Sequence, residues 1–93
     1  MTIDRILFGT AGVPNATEKK NSPVEGVKKI HELELDCMQL EFAHGVRMKE
    51  EVSSNLRKIS YELGVPLTSH GPYYINLNAR EQDKIDSSVE RII

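Results

Sequence analysis

The chain has 93 residues, room for one domain at most, and its 39% hydrophobic and 28% charged residues mark it as globular rather than disordered. A formal net charge of −2 excludes a global basic field for nucleic acid, although a local basic patch stays open. A single cysteine, Cys37, excludes a disulfide framework; with a polar N-terminus and no apolar run near the ~18 residues of a membrane helix, it predicts a soluble, cytoplasmic protein.

Taken in order, Ile6-Leu7-Phe8, stopped by Gly9, predicts a short buried strand near 5–9. A long polar loop with Lys19 and Lys20 follows, of the length that is usually functional or mobile. Ser22-Pro23-Val24-Glu25 predicts a helix start: Ser22 as cap, Pro23 in the first helical position, Glu25 completing a capping box. Val24, Val27, Ile30 and His31 share a face of this helix, near 23–35, with His31 at the edge of the core. Asp36 interrupts the pattern. Cys37 to Phe42 alternates with period two and predicts a second strand, near 37–42, with Cys37 as packing.

Met48, Val52, Leu56, Ile59 and Leu63 make one apolar stripe on a second helix, near 48–63, ended by Gly64 and kept from resuming by Pro66. A third strand is expected near 66–70. Asn78 is the expected cap of a third helix, near 79–93, with Glu81 three residues on and Ile85, Val89, Ile92 and Ile93 as its buried stripe. The chain ends inside that helix without a cap, which reads as an interruption.

Strict βα alternation at about 30 residues per unit demands a parallel sheet, either open and doubly wound or a (β/α)₈ barrel. An open sheet flanked by helices on both faces should be apolar on both. Here Met38, Leu40 and Phe42 alternate with the polar Gln39 and Glu41. Glu41 and His70 both fall at strand C-termini, where barrel active sites lie. The expected fold is therefore α/β: a (βα)₃ portion of a TIM-type barrel with parallel strands, its open edge covered by further barrel units or by another copy.

The run His70-Gly71-Pro72-Tyr73-Tyr74-Ile75-Asn76-Leu77, with Phe8-Gly9-Thr10-Ala11-Gly12 before it, resembles the first three units of the endonuclease IV family, which are xylose-isomerase-like barrels. The resemblance implies a zinc-dependent AP endonuclease of DNA repair that cuts the backbone 5′ to an abasic residue. It implies that His70 is the first ligand of a multinuclear zinc cluster and that Tyr73 lies at the DNA surface. It also puts the loop 43–47, with His44 and Arg47, against DNA. This sequence lacks the longer, aromatic-containing form of that loop.

From residue chemistry, Glu41 is the candidate catalytic carboxylate: a metal ligand, a base, or a group that orients substrate. Its bland alternative is an ion pair with Arg47 or Lys49. Tyr73 is expected to contact ligand and Tyr74 to pack beneath the loop; Asn76 is expected to be structural. Lys19, Lys20, Arg47 and Lys49 are phosphate candidates on the same face. One good ligand and one further carboxylate do not make a cluster, so these 93 residues alone are expected to be inactive. A sugar-phosphate isomerase or epimerase on the same barrel, and a non-enzymatic self-assembling βα module, are the competing readings.

Overall fold

A computed structural model describes residues 4–43 and 45–93. Its elements are β1 (Gly9–Ala11), α1 (Pro23–Glu32), β2 (Cys37–Glu41), α2 (Glu50–Leu63), β3 (Leu67–His70) and α3 (Gln82–Ile92). The three strands are parallel and lie side by side in the order β1-β2-β3.

The first strand starts later than its apolar run suggests, and the reason is Asp36. The Asp36 N–H donates to Phe8 O at 2.8 Å. The Asp36 carboxylate accepts from the Phe8 N–H at 2.9 Å and from the Arg5 guanidinium, also at 2.9 Å. A side chain thus takes the place of a strand carbonyl, and regular pairing begins only at Gly9 opposite Cys37. Ile6 and Phe8, expected to be buried, are 76% and 67% exposed. The Arg5 bond and the Phe8 N–H hold the Asp36 carboxyl below its ordinary value and, reciprocally, raise Arg5.

Ser22 caps α1 by accepting the Glu25 N–H at 3.3 Å. The capping box does not close, because the Ser22 N–H goes to Lys19 O at 3.0 Å and Glu25 turns to Lys28 instead. Val27 and Ile30 of α1 are fully buried against Met38 of β2, with Leu56 of α2 and Val65 completing the core. His31 falls outside that core and is exposed. Gly64 ends α2 in the left-handed conformation, φ 65°.

The pairing register gives the sheet two different faces. Met38, Leu40 and Leu67 point to the side covered by α1 and α2. Gln39 opposite Thr68, and Glu41 opposite His70, point to the other. That second face is polar, with Glu41 and Thr68 exposed and Gln39 and His70 half-buried.

The third helix differs most from expectation. Asn78 does not cap it: the Asn78 N–H donates to Asn76 Oδ1 at 3.0 Å, a local turn that delays the helix, and Glu81 takes the cap position without a side-chain bond. Nor is its stripe buried. Val89, Ile92 and Ile93 are 42%, 57% and 97% exposed, because α3 has no substantial packing against any other helix or strand. Ser88 is its one buried residue, wedged against the β3–α3 loop. Among the described residues no helix is long and apolar enough to cross a membrane.

Candidate functional site at the strand ends

Parallel strands bring their C-terminal residues to one edge of the sheet. Here that edge carries Ala11 at the end of β1 with Gly12 after it, Glu41 at the end of β2 and His70 at the end of β3. Glu41 and His70 are register partners, so both side chains leave the same, open face of adjacent strands. The chain supports this edge with backbone bonds. The Gly12 N–H donates to Gln39 O at 2.8 Å, and the Phe42 N–H to His70 O at 3.0 Å. Gly12 itself has φ 85°, and a Cβ there would stand 3.4 Å from Cγ of Glu41, so glycine keeps the β1 end close to the carboxylate without strain.

His70 is oriented from its own strand end. Its Nδ1 lies 2.7 Å from Gly71 O, and since the carbonyl can only accept, Nδ1 carries a proton, so that in a neutral imidazole the lone pair is on Nε2. Imidazoles that ligate metals commonly donate their other ring N–H in this way. The Tyr73 ring meets the imidazole edge to face, with centroids 5.5 Å apart and an interplanar angle of 78°. Tyr73 is 69% exposed, and its N–H donates to Ala43 O at 3.0 Å, tying the loop after β3 to the loop after β2. Glu41 makes no hydrogen bond or ion pair with a described residue, so the pairing with Arg47 or Lys49 is absent.

Two clefts open beside Glu41. One, of about 650 Å³, is bounded by Glu41, Asn21, Arg47 and Lys49; the other, of about 390 Å³, by Glu41, Gln39, Asn15 and Lys20. Arg47 and Lys49 thus share one cleft with Glu41 and Lys20 shares the other, whereas Lys19 lines a separate depression with Lys28 and Lys29 beside α1. The structure brings together Glu41, His70 and Tyr73 at the edge, and Arg47 beside Glu41. His44 lies outside the described residues. Tyr74 does not pack beneath the loop: it is 51% exposed, with the Arg91 guanidinium 4.6 Å over its ring. Gly45, with φ 110°, leaves room for its hydroxyl, since a Cβ there would come within 3.1 Å of it. Asn76 is structural, donating its N–H to Ser88 Oγ at 2.9 Å.

The Tyr74–Arg91 stack and the Asn76–Ser88 bond were not legible in sequence, because both join a loop to a helix face that no periodicity predicts. Among the described residues no three His, Cys, Asp or Glu side chains converge to hold a metal ion. Glu41 and His70 fit two positions of a donor set; a catalytic zinc usually has three protein ligands.

Among known proteins, an uncharacterized protein of Methanocaldococcus jannaschii, MJ0133, is 42% identical to this chain over 88 residues. The alignment spans 95% of this chain but only 30% of that relative. No protein-family profile matches the chain, and no solved structure does.

Proposed function

We propose that the chain is the (βα)₃ portion of an endonuclease IV-like barrel, a zinc-dependent phosphodiester hydrolase acting on abasic-site DNA. The observation that carries it is the pairing of Glu41 with His70 at the C-terminal edge of a parallel sheet, on the face that the helices leave open. Three neighbouring strands in chain order with α1 and α2 on one face are compatible with the arc of a barrel and with the first half of a doubly wound sheet; the polar face turned away from the helices is what favours the barrel reading. The relative's length agrees: an 88-residue alignment covering 30% of it makes that protein roughly 290 residues long, near the ~250 of a complete barrel.

Zinc, when bound, polarises a phosphoryl oxygen and so makes phosphorus open to attack. The chain's own residues do the rest. His70 presents Nε2, its ring fixed by the bond to Gly71 O. Glu41 supplies a carboxylate that ligates or takes the proton of the attacking water. Arg47, Lys49 and Lys20 neutralise phosphates along the two clefts, and Tyr73 offers an exposed ring for a base or sugar left unstacked at the lesion.

Two donors do not complete the site, so the 93-residue chain alone is inactive. The test is a chimera in which this chain replaces its 88-residue counterpart in the M. jannaschii relative. Zinc-dependent nicking of an abasic-site duplex by the chimera, and none by the isolated chain, is the expected result. Turnover of a ketose phosphate without nicking selects the isomerase reading and overturns this one.

A further inference from the structure

We infer that α3 positions the His70 corner: Arg91 through Tyr74, and Ser88 through Asn76, hold the loop that orients the imidazole. This rests on the strand-end reading of Glu41 and His70. Both groups that orient the His70 ring belong to the turn after β3. Gly71 O accepts from Nδ1 at 2.7 Å, and the Tyr73 ring stands edge to face against the imidazole. The turn is closed on itself. The Ile75 N–H donates to Pro72 O at 3.2 Å, and a Cβ on Gly71 would meet Ile75 Cδ1 at 3.3 Å. A displacement of residue 74 therefore moves the carbonyl and the ring that hold His70.

Residues 73 to 76 are held from two sides. The loop after β2 holds one: the Tyr73 N–H donates to Ala43 O at 3.0 Å, and the Tyr74 hydroxyl lies beside Gly45, where a Cβ would stand 3.1 Å from it. Helix α3 holds the other. The Arg91 guanidinium lies 4.6 Å over the Tyr74 ring, and Ser88 Oγ accepts the Asn76 N–H at 2.9 Å. Ser88 Oγ also donates to Lys84 O at 2.8 Å, which fixes the hydroxyl to its own helix. Ser88 and Arg91 are three residues apart and so share a face of α3. That face meets the loop, while Val89, Ile92 and Ile93 are exposed and the helix packs little on the sheet. In this chain α3 braces the loop rather than filling the core. The adjacent tyrosines have separate parts: Tyr73 touches the imidazole, and Tyr74 is where α3 grips.

A cation over an exposed aromatic ring corresponds to a factor of roughly 2 to 5 in an equilibrium constant, and an effect routed through that contact cannot exceed it. In the 93-residue chain, Arg91→Gln should therefore raise the zinc dissociation constant roughly 2- to 5-fold, and Arg91→Lys, which keeps a cation over the ring, should restore most of the affinity. The metal-free chain gives an independent readout by nuclear magnetic resonance, above pH ~8 where an imidazole is neutral. The His70 ring protons, shifted by the Tyr73 ring current, should move toward their free values in Arg91→Gln and in Tyr74→Leu, but not in Arg91→Lys. Faster amide exchange along α3 in Arg91→Gln with unmoved His70 ring protons would mark the stack as a support for the helix alone and overturn the inference. Unmoved ring protons in Tyr74→Leu would overturn it too. A parent chain that binds no zinc contradicts the strand-end reading instead, and the metal-free shifts still decide whether α3 positions His70.

Discussion

At Gly9 the sheet permits no side chain: a Cβ there would lie 1.9 Å from Cys37 O, on the neighbouring strand. Gly9→Ala should therefore destabilise the fold by about 1–3 kcal/mol, read as a lower denaturation midpoint with an unchanged slope. Asp36 makes a prediction with a sign. Its folded-state value is depressed, so the stability it contributes is fully present above the ordinary carboxylate value of 3.8 and is lost as pH falls through the lower, folded value. Thermal unfolding should show Asp36→Asn less stable than the parent at neutral pH, with the gap closing below that ordinary value. Thr17 is the opposite case. It is 5% exposed and its hydroxyl has no partner among the described residues, so Thr17→Val should be neutral or stabilising by about 1 kcal/mol in the same measurement.

The elements show what a sequence can and cannot declare. α1, β2, α2 and β3 were legible because each carries its own signal: Ser22-Pro23 at a helix start, alternation from Cys37, the stripe Val52, Leu56, Ile59 and Leu63, and Gly64 with Pro66; Met48, read as the first residue of that stripe, lies ahead of α2, whose cap position is Lys49. The start of β1 was not, because it depends on the Asp36 carboxylate standing in for a backbone carbonyl 28 residues away. α3 was misplaced at its start because Asn78 closes an Asx turn with Asn76 rather than a helix cap. Its stripe was expected to be buried and is largely exposed: burial depends on a surface to pack against, and no periodicity says whether one is present. The contact that does hold α3 is polar. Ser88→Ala removes the acceptor of the Asn76 N–H at a cost of about 1 kcal/mol, and hydrogen exchange at Asn76 should quicken by about 5-fold.

At the scale of the whole molecule, a Cα radius of gyration of 15.0 Å exceeds the ~12 Å of a compact domain of this length. Among the described residues, the polar strand-end face on one side and the apolar groove and α3 on the other stay largely uncovered. The first was legible as chemistry, since Glu41 and His70 stand at strand ends in the sequence pattern, but their register pairing is a tertiary fact. The remaining donors of a catalytic cluster have no counterpart among the described residues, which is why function here is a proposal about a larger barrel. The most direct test is at the pair itself. Zinc is titrated into the 93-residue chain and followed by nuclear magnetic resonance. Weak, saturable shifts at His70 Nε2 and at Glu41, lost in His70→Ala and reduced in Glu41→Gln, are the predicted result. Shifts centred on His31, or none at either residue of the pair, would contradict the assignment of this edge as a metal-holding corner.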